Sequence, residues 1–196
     1  MIISWNTTNA CNMYCKHCYR DAGCKAEEEL STAEAKKLLD EIARAGFKIM
    51  IFSGGEPLTR PDILELVAHA TKLGLRSVFG TNGTLITPEM ARDLKAAGAM
   101  GMGISLDSMS PAKHDTFRSY PGGWAGAVEG MKNCRAAGLP FQIHTTVMDW
   151  NENWRRSRTS LWNSALWRTT SSSSCRRDAP RRSRRNRFVP RRTRAS

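Results

Sequence analysis

What most constrains this chain is the recurrence of one unit: a short β-rich run, a polar turn, then an amphipathic helix closed by glycine. The runs at 2–6, 48–53, 76–81, 100–106 and 141–147 are predicted strands, and helical periodicity fills much of the sequence between them. Ser31 followed by Glu34 is a capping box, and Ala35, Leu38, Leu39 and Ile42 then share one face before Gly46 stops the helix. Pro61 opens a second helix, whose apolar side carries Ile63, Leu66, Val67 and Ala70 and which stops at Gly74. A third runs from Thr87-Pro88 to Gly98, and a fourth from about Trp124 to Gly138. Strands that alternate with helices predict a parallel sheet, because parallel neighbours need a crossover connection and a helix is the usual one. The expected fold is therefore α/β, a partial parallel (βα) barrel spanning residues 1–152.

In such folds chemistry gathers at the C-terminal ends of the strands. Those ends carry Thr7-Thr8-Asn9, Ser53-Gly54-Gly55-Glu56, Thr81-Asn82-Gly83, Ser105-Leu106-Asp107 and His144-Thr145-Thr146. Any one of these reads as an ordinary turn, but five on one rim read as a site. His69 and His114 are expected to be solvated or at the edge of the core, and Cys134 to be a small buried hydrophobe. Cys24 follows the first rim loop as a bystander or a redox liability.

Three of the six cysteines fall within eight residues: Cys11, Cys15 and Cys18, on the loop after the first strand. No charged start and apolar export segment precedes them, so metal is favoured over disulfides, and the expected compartment is the reducing cytoplasm. Thiolates on a short loop converge on a soft metal centre, and three of them leave one iron of a cubane cluster open. An open position marks a catalytic metal rather than a structural one. The competing reading is a zinc site using Cys11, Cys15, Cys18 and either Cys24 or His17.

The CxxxCxxC spacing after the first strand, with Gly54-Gly55-Glu56-Pro57 after the second, resembles the radical S-adenosylmethionine (SAM) superfamily. That resemblance implies a [4Fe–4S] cluster on Cys11, Cys15 and Cys18, with SAM chelating the open iron. An electron from the reduced cluster then cleaves SAM to a 5′-deoxyadenosyl radical, which abstracts a hydrogen from a substrate. Gly54 and Gly55 allow close backbone approach to a ligand, and Glu56 offers a carboxylate or carbonyl to the methionyl ammonium. Ser105 and Asp107 are candidates for the ribose or carboxylate of SAM, and Thr81 and Asn82 for the lining of the same pocket. Within the superfamily, the cluster loop together with GTNGTLIT, ISLDS and HTTVMDWN looks most like the enzymes of alternative haem and haem d1 biosynthesis. This implies a tetrapyrrole as small-molecule substrate, with modification of its carboxylate side chains, and an electron donor such as ferredoxin or flavodoxin. Peptide-modifying maturases share the CKHCY style of loop and are the second family reading.

The formal charge of +12 is unevenly distributed. Residues 1–152 carry 16 Lys+Arg against 17 Asp+Glu, whereas residues 153–196 carry 14 Arg and one acid. An excess confined to one end is no argument that the folded part binds nucleic acid. A literal reading of 153–196 is an arginine-rich disordered tail that contacts phosphates, and with the zinc site it forms the reading from another class, a basic nucleic-acid-binding protein. The preferred reading is a slip of the reading frame near Glu152. In the shifted frame Ser171–Ser174 and Cys175 become apolar, and the segment can encode an amphipathic helix followed by a strand. The sixth βα unit and an auxiliary-cluster extension are then expected to be missing and the product to be poorly soluble or inactive. No apolar run approaches the ~18–20 residues that cross a bilayer, so no membrane partner is expected.

Overall fold

The computed structural model describes residues 1–20, 22–26 and 28–151; the frame-slip reading and the tail of 153–196 lie outside the described residues. Five parallel strands form one sheet in the order β1-β2-β3-β4-β5: β1 Ile2–Thr8, β2 Ile49–Gly54, β3 Arg76–Thr81, β4 Gly101–Ser105 and β5 Phe141–His144. Each strand pairs with its predecessor in sequence, and the sheet is not closed into a ring. The expected partial (βα) barrel is the observed architecture.

Helices α1 Thr32–Arg44, α2 Ile63–Lys72, α3 Pro88–Ala97 and α5 Gly123–Ala136 fill the crossovers. Alternation along the strands sends Met50, Phe52, Phe79, Met102 and Ile104 outward, into a core shared with Leu39, Leu66, Leu94 and Met131 of the helices. Phe52 and Phe79, in register on neighbouring strands, stack at 5.3 Å. Each such fully buried side chain contributes about 1.5–3 kcal/mol. Among the described residues no helix is long and apolar enough to cross a membrane.

Start and stop signals behave as read at α1. The Ser31 hydroxyl accepts from the Glu34 amide while the Glu34 carboxylate accepts from the Ser31 amide at 2.9 Å. α2 begins two residues later than Pro61 suggested, because Pro57–Thr59 turns first as a short 3₁₀ segment. β1 continues two residues beyond its expected end, and β5 stops at His144 rather than at 147. The larger departure is α4, Pro111–Arg118, a helix where a loop was expected. It is short, its apolar residues lie on no single face, and Ser119 in the left-handed region (φ 52°) ends it where a glycine would have signalled the stop.

The fit of α5 against the rim depends on missing side chains. A Cβ on Gly130 would lie 2.2 Å from the Gly83 carbonyl oxygen, and one on Gly126 would lie 2.9 Å from Thr84 Cγ2. Two glycines one helical turn apart thus let α5 press directly on the turn that follows β3.

Candidate metal centre

β1 delivers the chain to the cysteine loop, and the neighbouring strand ends decide where that loop goes. Gly54, at φ +133°, and Gly55 lie flat against the backbone leaving β1. A Cβ on Gly54 would meet the Thr8 carbonyl oxygen at 2.4 Å, and one on Gly55 the Ala10 oxygen at 2.3 Å. Gly55 N–H donates to Thr8 O, and Glu56 N–H to Ala10 O, each at 2.8 Å. The close approach read from these glycines is therefore made first to the chain's own backbone. Arg60 completes this corner: it donates to Thr7 O at 2.9 Å and Leu30 O at 2.8 Å and forks onto Asp62.

Glu56 is completely buried. Its carboxylate accepts from the Leu58 amide at 3.1 Å, the Thr81 hydroxyl at 2.8 Å and the Asn82 amide at 2.8 Å. Burial pushes this carboxyl above its ordinary value, opposed by those three donors. Its backbone carbonyl accepts from Thr59. Thr81 is buried with its hydroxyl on Glu56, and Asn82 turns toward the cysteines. Asn82 Nδ2 donates to Asn12 Oδ1 at 2.7 Å, and Asn12 Nδ2 donates to Thr84 Oγ1 at 2.9 Å. The end of β3 thereby grips the residue directly after Cys11.

The rest of the loop is closed by its own return. Cys11 N–H donates to Gly23 O, and Gly23 N–H to Asn9 O, both at 2.9 Å. Glu29 accepts from Thr8, Asn9 and Ala26, which hold its carboxyl below the ordinary value against a desolvation that raises it. Met13 is buried, with its methyl at the Gly123 backbone. Cys18 N–H donates to Cys15 O at 3.0 Å.

Cys11, Cys15 and Cys18 are all half-buried. Burial pushes the Cys11 thiol up to about 11; the Met13 amide opposes this, and the charges of Glu56, Cys15 and Cys18 add to it. Burial also raises Cys15, against the pull of the Arg118 guanidinium. A half-buried Cys11 thiol whose ionisation its neighbours Cys15 and Cys18 oppose needs a cationic centre to become a thiolate, so the donor set fits an iron–sulfur cluster. Among the described residues, no three His, Cys, Asp or Glu side chains are grouped for a single metal ion. Cys24 is exposed, and the His17 ring lies flat on Phe117 at 3.9 Å.

The end of β4 brings Asp107 into the same region. Its Oδ2 accepts from Arg118 Nε at 2.7 Å, its Oδ1 accepts from the Thr146 amide at 2.9 Å, and it is 1% exposed. The Arg118 guanidinium also lies within electrostatic reach of the Cys15 thiol, and although burial lowers its pKa, Asp107 and Cys15 raise it overall. Ser105, half-buried, pairs in register with His144. His114, expected near the surface, is fully buried, with Nδ1 accepting from the Asp107 amide at 3.2 Å. His69 is half-exposed and bonded to Asp40, and Cys134 is buried as expected, its thiol pushed up to about 12 by desolvation. Sequence reasoning missed Arg118, Phe117 and Asn12. The first two ride on the unforeseen α4, and the third is an ordinary loop asparagine until the fold sets Asn82 beside it.

A family profile described as the radical SAM superfamily matches residues 5–157. The AdoMet-dependent heme synthase of Methanosarcina barkeri is 46% identical over 148 residues, which cover 74% of this chain and 42% of that protein. The Fe-coproporphyrin III synthase of the same organism is 42% identical over 147 residues, 74% of this chain and 37% of that one. The chain thus spans roughly two fifths of the length of these curated relatives. Among solved structures, native anSMEcpe with bound AdoMet superposes with a TM-score of 0.65 over 81% of this chain and 48% of its own, at 18% identity, a likeness of fold.

Proposed function

The chain belongs to the radical SAM superfamily, and from that premise we propose that Cys11, Cys15 and Cys18 hold its [4Fe–4S] cluster and that the site serves modification of the carboxylate side chains of a tetrapyrrole. When bound, the cluster supplies the electron for reductive cleavage of S-adenosylmethionine. The observation that carries the reading is the loop itself: three half-buried thiols fixed between the ends of β1, β3 and α4. Gly54, Gly55, Ser105 and Asn82 border the space where SAM would lie. Glu56 and Asp107 hold that border in shape, since their carboxylates are taken up by internal donors. Names of the relatives support the tetrapyrrole. An external reductant such as ferredoxin or flavodoxin completes the reaction. The domain division proposed with this reading is 1–152 as the radical SAM core, with 153–196 read as a frame-slipped tail.

Anaerobic reconstitution with iron and sulfide tests the centre. The wild-type chain is expected to take up about four irons per protein, with the broad visible absorption of a cubane, and Cys11→Ala, Cys15→Ala and Cys18→Ala each to lose it. A cluster indifferent to all three substitutions, or a single zinc in its place, sinks the proposal. Binding of a coproporphyrin but not of a peptide supports the tetrapyrrole; the reverse selects the maturase reading.

A further inference from the structure

The inner face of the sheet, opposite the helix-covered core, is unusually bare one level below the rim. In register along that level run Asn6 beside Ser53, then Gly80, Gly103 and Gln142. A Cβ on Gly80 would just touch Ser53 Oγ, at 3.4 Å. A filled (βα) barrel carries bulky branched residues at such a level, whereas here two adjacent glycines are flanked by polar side chains. The bareness is put to use at β5. A Cβ on Gly103 would lie 2.2 Å from His144 Cε1 and 2.8 Å from Nδ1, so the imidazole rests directly on the glycine backbone. Gln142 Nε2 stands 2.8 Å from His144 Nε2. An amide N–H donated there occupies Nε2 and leaves the ring proton on Nδ1. Ser105, whose partner in register is His144, sets a hydroxyl on the neighbouring strand. A ring seated by one glycine and braced by one amide is a fixed hydrogen-bond donor on the polar inner face, at the C-terminal end of β5.

We propose that His144 is a substrate-binding residue: its Nδ1–H receives a carboxylate of the substrate, with Gly103 as the seat that sets the ring's height. The proposal rests on the tetrapyrrole reading above, since coproporphyrin-type macrocycles carry such carboxylates. An N–H donated to an ionised carboxylate is among the stronger hydrogen bonds.

Metal-free coproporphyrin III is the probe, because it cannot be held by iron–imidazole coordination, and its tetramethyl ester is the control. Binding of both to the full chain is followed by porphyrin fluorescence. His144→Ala is expected to weaken binding of the acid about tenfold, the effect of ~1.4 kcal/mol, and to leave the ester unchanged. Gly103→Ala, which displaces the ring without removing it, is expected to give a similar loss. Should His144→Ala fail to fold by circular dichroism, His144→Phe, which keeps a ring but no donor, carries the same comparison. Equal affinity of wild type and variant for the acid overturns the proposal, as does an equal loss for acid and ester. A loss confined to S-adenosylmethionine binding, measured by equilibrium dialysis, overturns it in favour of the cofactor's own carboxylate. A wild-type chain that binds no coproporphyrin overturns both this inference and the tetrapyrrole reading.

Discussion

The two halves of the cysteine loop are held by opposite means. From Ala10 to Met13 the chain is fixed by many small contacts with strand ends and turns: Glu56 N–H on Ala10 O, Cys11 N–H on Gly23 O, Asn12 between Asn82 and Thr84, Met13 against Gly123. From Cys15 to Cys18 much of the hold comes from α4, through Arg118 at Cys15 and Phe117 under His17. The difference teaches that the first half loses its grip in increments, while the second depends on one buried ion pair.

Arg118→Met is the strongest way to separate the two. It leaves Asp107 buried without its cation, a loss of about 3–5 kcal/mol. Thermal melting measures the total, and hydrogen exchange is expected to rise at 15–18 well before 10–13; a uniform rise would erase the distinction. Gly55→Ala attacks the other half by forcing a Cβ into the Ala10 carbonyl, at about 1–3 kcal/mol, with faster exchange at the Cys11 amide. Asn12→Ala removes two hydrogen bonds at that end for about 1–2 kcal/mol and leaves the His17 stack in place. Phe117→Leu removes the stack, worth about 0.5–1.5 kcal/mol beyond area, along with a tilted ring contact to Trp150, and is read as a shift in the His17 ring resonances. The smallest effect is a pH dependence. Desolvation raises the Asp62 carboxyl, but hydrogen bonds from Arg60 and Thr32 bring it below its ordinary 3.8. Its contribution is complete above that value and is lost as pH falls through the lower folded value, so acid loosens the Arg60 hold on Thr7, at the entry to the first half. Acid melts of Asp62→Asn are expected to lack this limb.

The same division explains what could be read from the residues alone. The sheet, four of the five helices and the three cysteines were legible because periodicity, capping and spacing are local signals. Ser31 with Glu34 needs no fold to be recognised. α4 was not legible: eight residues with no apolar stripe leave only Ser110-Pro111 as a start signal, too common to decide a helix. Arg118 was lost with it. Glu56 was noticed for its motif, but its three donors lie on Leu58 and on a strand end 25 residues away, and only the sheet brings Thr81 and Asn82 to it. His114 was misplaced because burial follows from the packing of α4, which nothing in its neighbours announced.

The strictly sequential strand order carries a consequence for how the molecule comes into being. Every strand meets a partner made one unit earlier, so the sheet can grow in the order in which a ribosome delivers it, without waiting for a distant segment. The cysteines are made before the seat for their loop: Asn82 and Thr84 follow β3, and the α5 glycines that press on this turn come more than forty residues after them. Thiols are therefore on offer long before there is a place to hold them. A cluster on the proposed cysteines gains its full seat only once α5 is made, and nascent chains halted before α5 are expected to bind iron loosely and to surrender it readily to a chelator.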